Sequence, residues 1–255
     1  MTLVALCEAP GTSASTTAAL ALAALAPVGR PTLVLECDPS GGDLAGWAGL
    51  HGNPSWSSAV SAPDRSWSGL YRHLQELPSA LSVMLAPSSP SRAASVIPDA
   101  AERFAPMVSA LDDVVAFADC GRSAGPSGWV DAADLVVVLV RQAASAGATV
   151  TRIDRSVELA RSLQRSRRAG VVVIGERPYA PSDIAVTIGL PLLGVLPDDG
   201  PGAALAAGAW TIGKGADRTP LARAASKVSA SIHELLDQGS VQTTPCVESL
   251  NGVHA

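Results

Sequence analysis

Apolar positions in this chain fall in short unbroken runs rather than in alternation. Leu3 to Cys7, Thr32 to Asp38, Leu81 to Ala86, Asp113 to Asp119, Asp134 to Val140, Gly170 to Gly175 and Leu192 to Leu196 each read as a strand buried on both faces. Stretches of helical period separate them. Helices are predicted over Ala14 to Ala26, Leu70 to Leu77, a segment ending near Phe104 to Leu111, Ala148 to Arg168, Ser182 to Ile188, and 219 to 237. The long one places Val150, Ile153, Val157, Leu159, Ala160 and Leu163 near one side. Residues 44 to 68 are rich in Trp, Ser, Gly and Pro and poorly periodic; Trp47, Trp56 and Trp67 lie here, with burial the expected fate over a partner-facing patch. Strand–helix alternation of this kind predicts an α/β fold of three layers: a mostly parallel sheet of seven to eight strands with helices on both faces. One domain over residues 1–238 is expected, with 239–255 a disordered tail.

Composition narrows the function classes. Of 255 residues 47% are hydrophobic and 16% charged, and the net charge is −5, so the overall balance favours neither nucleic acid nor an anionic membrane. No apolar run approaches the ~20 residues of a membrane span. Met1 leads into a strand without a basic stretch, so a cytoplasmic chain is expected. Cys7, Cys37, Cys120 and Cys246 show no C-x-x-C spacing; reduced, half-buried thiols are the expectation, against a metal or redox cluster at the strand ends. Only Lys214 and Lys227 are lysines, so sixteen of the eighteen Lys and Arg residues are Arg.

The chemistry gathers at the first strand. A strand, a turn with Pro10 and Gly11, and a helix start near Ala14 make an anion cradle, because unpaired amides point into the turn. Its candidate contacts are Pro10, Gly11, Thr12, Ser13, Ala14, Ser15 and Thr16. Against the phosphate-loop pattern G-x-x-x-x-G-K-[ST], the first Gly is Glu8, the second Ser13 and the Lys Ala14; only the hydroxyl of Ser15 remains. Glu36, Asp38 and Asp119 end strands that would converge on the same edge. Such carboxylates hold Mg²⁺ or orient an attacking water, and Ser15 could join Asp38 and Asp119 on the metal. The bland alternative is that strand-end Asp residues cap the following turn.

These segments resemble the ParA/MinD family of P-loop ATPases (the SIMIBI class), including relatives that position pili and flagella. LVLECDPSGGDLAGW looks like the family's D-x-D-P-Q-G loop, VVAFADCGR like the strand ending in the Walker B Asp, and WVDAADLVVVLVRQAASAGATVTRI like its next strand and helix. GLPLLGVLPDDGPGAALAAGAW is similar to the stretch that closes the nucleotide pocket, and RTPLARAASKVSASI to the last helix. The resemblance spans about Leu3 to Leu236 and implies a Mg-ATP site, with Asp38 catalytic if the site is active.

The departures bear on activity. The family's two phosphate-loop lysines are Ala9 and Ala14 here, and no lysine precedes Lys214. Ser13 adds a side chain where backbone must approach phosphate, and Glu8 places an acid at the loop. The first Asp of the D-x-D loop is Glu36, and Gly175 stands where the family often offers Asn to adenine. Arg122 and Arg141 could replace the missing cation, or could simply pair with edge carboxylates. The expectation is a degenerate relative with weak or absent Mg-ATP chemistry. It would act in positioning or assembly, of a pilus or secretion apparatus for instance, through protein partners and as a homodimer. The alternative is an active, atypical Mg-ATP-dependent ATPase. DNA contact through Arg161, Arg165, Arg167 and Arg168 is weighed against a solvated helix end, and the tail lacks a membrane-targeting helix.

Overall fold

The computed structural model describes residues 3–122, 127–163, 168–204, 206 and 219–240. The apolar runs become the strands of one sheet, because Val and Leu runs flanked by turn residues fit a pleated surface buried on both sides. In chain order the strands are β1 (Leu3–Glu8), β2 (Thr32–Glu36), β3 (Gln75–Glu76), β4 (Ser82–Met84), β5 (Val115–Arg122), β6 (Leu135–Arg141), β7 (Arg168–Ile174) and β8 (Leu192–Leu196). The sheet order is β3-β4-β2-β5-β1-β6-β7-β8. All neighbours are parallel except β3 and β4. β5 enters between β2 and β1, pairing Glu36 with Asp119 on one side and Leu6 with Asp119 on the other. That register sets the carboxyl ends of β1, β2 and β5 side by side, the place where open α/β sheets receive ligands.

Helices cover both faces. One layer holds α1 (Ser15–Ala24), α2 (Leu44–Trp47) and α10 (Pro220–Ser240) against Val4, Leu6, Phe117 and Val137. The other holds α3 (Trp56–Ser61), α4 (Trp67–Tyr71), α5 (Pro90–Ser109), α6 (Gly128–Ala132), α7 (Ala146–Leu163) and α8 (Pro181–Ile188) against Leu3, Ala5, Ala118, Val136 and Val173. A short helix, α9 (Gly200–Ala204), follows β8. The expected three-layer α/β fold is therefore present, with eight strands in the described residues.

Several details differ from the sequence reading. Residues 70–77 divide into the end of α4 and the short antiparallel strand β3. β5 continues three residues past Asp119, because Glu8 of β1 pairs with Arg122 after a register shift. α7 is described to Leu163, and Arg168 opens β7 rather than closing a helix. Val150 of the predicted apolar face is 43% exposed, while Ile153, Leu159, Ala160 and Leu163 are buried. The aperiodic stretch 44–68 contains α2, α3 and the start of α4. Within it Trp56 is fully buried against Phe104 and Trp129, whereas Trp47 is 44% exposed. α10 runs two residues into the expected tail, and 241–255 lie outside the described residues.

Candidate functional site

β1 ends in Glu8, and the turn over residues 9–14 delivers the chain to α1 with Ala14 as its N-cap. The Ala14 side chain offers that helix no cap. Glu8 itself reaches into the loop. It is 2% exposed, its Oε2 accepts the Ala14 N–H at 3.0 Å, and its Oε1 lies 3.5 Å from the Ser15 hydroxyl that donates to it. The Thr12 hydroxyl donates to the Ala9 carbonyl at 2.8 Å and tightens the same turn. Burial raises the Glu8 pKa, opposed by the nearby Thr12 hydroxyl and the Ala14 amide and, least, by the charge of Arg122.

Thr16 points the other way, its hydroxyl donating to Oδ2 of Asp119. Asp119 is 2% exposed, and its Oδ1 accepts the Gly121 N–H at 3.1 Å. Burial raises its pKa; hydrogen bonds from Thr16 and Ser15 oppose this, and the charge of Asp38 adds to it. Asp38 accepts the Ser40 N–H at 2.6 Å, and its carboxyl group lies against Gly121, which turns left-handed at φ 59°. A side chain at residue 121 would collide with that carboxyl group. Ser15, Asp38 and Asp119 are thus neighbours. Among the described residues, no group of three or more His, Cys, Asp or Glu is arranged to hold a metal ion.

Glu36 does not face this centre. Its Oε1 accepts the amides of Asp43 and Leu44 at 2.8 and 2.9 Å, and its Oε2 accepts the amide of Ala86 at 3.0 Å. It is a buried staple between the loop after β2, the start of α2 and the segment after β4, with burial pushing its pKa up to about 7. The three strand-end acids therefore divide: Asp38 and Asp119 converge, while Glu36 serves the backbone.

The two candidate cations also divide. Arg141 donates to Asp198 at 2.8 Å, the edge pairing considered as the bland alternative. Arg122 is exposed beside Glu8 in the sheet register. A third arginine reaches the loop from a distant element. Arg155 of α7 donates through Nη1 to the Pro10 carbonyl at 2.8 Å. A Cβ placed on Gly11 would lie 2.7 Å from the same nitrogen, so the guanidinium covers the loop's outer side. Nothing local announces this, since 145 positions separate the partners. Beside the loop a cavity of about 110 Å³ is lined by residues that include the buried Ala18, Ile174, Leu196 and Leu221 and the more exposed Ser13, Thr17, Arg141 and Asp198. Gly175, beyond β7, donates its amide to Leu196 and accepts from Gln142 at 2.8 Å.

The remaining candidates are structural in their contacts. Cys7, Cys37 and Cys120 are buried free thiols at the ends of neighbouring strands, deeper than expected. Burial pushes Cys37 up, and the Cys7 contact followed by burial pushes Cys120 up, so both stay protonated. Arg168 donates to the Leu235 carbonyl at 2.8 Å and Arg161 is exposed at the end of α7. Arg165, Arg167, Lys214 and Cys246 lie outside the described residues. Among the described residues, no helix is long and apolar enough to cross a membrane.

Comparison with solved structures decides the fold. MinD from Pyrococcus horikoshii OT3, complexed with Mg-ADP, superposes with a TM-score of 0.70 over 92% of this chain and 98% of its own, at 16% identity. This chain has the ParA/MinD fold. A ParA family ATPase from Chlorobium tepidum TLS matches with a TM-score of 0.67 at 17% identity, over 89% of this chain and 97% of its own. MinD in a MinC:MinD complex from Aquifex aeolicus matches at 0.67 and 15% identity, over 96% and 98%. No family model matches the sequence, and no curated protein does. The likeness is one of backbone, at 15–17% identity.

Proposed function

We propose that this chain is a degenerate ParA/MinD-type protein that acts in positioning or assembly through protein partners, with ATP hydrolysis weakened or lost. The observation that carries the reading is how the loop's donors are spent. The Ala14 amide goes to Glu8, the Thr16 hydroxyl goes to Asp119, the Ser15 hydroxyl lies between Glu8 and Asp119, and no lysine stands within the loop. Arg155, the cation that touches the loop, binds a carbonyl rather than presenting its charge to the amide side. A magnesium triphosphate needs positive charge and free amides at this point; the absent lysine, the buried acid of Glu8 and the bond it takes from the Ala14 amide count against it. Near-complete coverage of MinD and ParA family structures supports retention of the whole scaffold, and the MinC:MinD complex supports a protein partner as the kind of ligand such a scaffold takes.

Asp38 and Asp119 lying together favour the second reading, an atypical ATPase that keeps a metal site. A phosphate-release assay with millimolar Mg-ATP separates the two. Wild type and Asp38→Asn are expected to give the same background rate. Turnover that Asp38→Asn abolishes overturns the first reading in favour of the second.

A further inference from the structure

A carboxylate removed from water needs donors or a cation around it. Glu8, at 2% exposure, finds its nearest donor inside the phosphate loop rather than in an ion pair: the Ala14 N–H at 3.0 Å on Oε2, with the Ser15 hydroxyl, which also bonds Asp119, farther off at 3.5 Å from Oε1. These come from the last loop residue and the first residue of α1, the groups a strand–turn–helix cradle normally turns toward a bound anion. The opposite side of the turn is closed as well. Arg155 donates to Pro10 and sits against Gly11, which has no side chain to meet it. The loop is therefore held from within by an anion and from without by a cation, both belonging to the chain.

We propose that Glu8 is the resident anion of this loop: its carboxylate occupies the place of a phosphate group and, with Arg155 clamped outside, holds residues 9–14 in one form without nucleotide. The inference rests on the ParA/MinD reading and deepens it, since it names the group that displaces the ligand. An incoming pyrophosphate or triphosphate meets a buried negative charge at contact distance and finds the Ala14 amide already bonded. The loop then needs no nucleotide to be ordered, and the face that carries it is permanently assembled.

Calorimetric titration of the full chain with sodium pyrophosphate, and separately with Mg-ATP, tests this directly. Wild type is expected to show no saturable heat at millimolar ligand. Glu8→Gly, which removes the anion, is expected to bind pyrophosphate at least roughly tenfold more tightly than wild type. Glu8→Gln keeps the shape without the charge, is expected to gain in the same direction, and decides the matter if Glu8→Gly does not fold. Wild type binding as tightly as the folded variants, or folded variants with no gain, overturns the proposal. In wild type alone, hydrogen exchange at the Ala14 amide is expected to be strongly protected without nucleotide, and exchange at the free-peptide rate overturns the proposal equally. The two readings fail separately. Turnover that Asp38→Asn abolishes refutes the degenerate reading, whereas pyrophosphate binding by wild type without such turnover refutes only the resident anion.

Discussion

Glu36 ends β2 with both carboxylate oxygens committed to backbone amides, and burial pushes its pKa up to about 7 from an ordinary 4.5. A carboxyl group raised on folding binds its proton more tightly in the native state than in the unfolded one, so native stability falls as pH rises between about 4.5 and 7. Glu36→Gln cannot titrate. The expected result is that wild type loses on the order of 3 kcal/mol more than Glu36→Gln between pH 4.5 and pH 8, measured by urea unfolding at each pH. A parallel pH dependence in the two proteins refutes the assignment. Thr16 offers a simpler deletion. Its hydroxyl is a donor to the buried Asp119, and Thr16→Val keeps the shape while leaving the carboxylate only the Gly121 amide and the Ser15 hydroxyl. The expected cost is about 1–3 kcal/mol, seen by calorimetry as a fall of several degrees in Tm. Residue types in the loop were legible in the sequence, including the absent lysines and the acid at Glu8. What those acids bond was not, because the amide of Ala86 lies 50 positions from Glu36 and reaches it only through the pairing of β2 with β4.

Strand and helix boundaries show which signals are local. β8 was readable to the residue as Leu192–Leu196, because a Pro-bounded apolar run leaves no helical alternative. β3 was not, since Gln75 and Glu76 carry no strand propensity and are extended only because β4 lies beside them. The burial of Trp56 likewise follows from distant partners, its Nε1 donating to the Glu36 carbonyl at 2.8 Å while its ring stacks on Phe104. Glycine sets how closely the outer helix and strand approach. A Cβ on Gly194 of β8 would lie 2.5 Å from a Val228 methyl of α10, and one on Gly170 of β7 would lie 2.5 Å from Leu193. Gly194→Ala is expected to lift α10 from the sheet and cost about 1–3 kcal/mol, read from the shift in the urea midpoint. Gly46→Ala, in α2 where a Cβ meets open space, serves as the control and is expected to leave the midpoint unchanged or to raise it by the equivalent of up to about 1 kcal/mol.

Across the molecule, the sheet's carboxyl edge buries Glu8, Glu36 and Asp119 while Arg122, Arg141 and Arg155 stand more exposed around them. Acid inside and arginine outside is the reverse of a triphosphate site, where the charge to be neutralised arrives with the ligand. If association of two copies used this face and depended on nucleotide, the ligand would have to supply interactions that differ between the separate and joined states. Here the loop's inner anion is covalently part of the chain and its outer cation is already bonded to Pro10, so nucleotide has no difference left to exert. The oligomeric state is accordingly expected to be independent of nucleotide. Sedimentation velocity of the full chain should give the same distribution of species with and without millimolar Mg-ATP, whatever that distribution is. A shift toward a heavier species on adding Mg-ATP, absent with magnesium alone, means that the loop still answers to a triphosphate and that Glu8 yields its place.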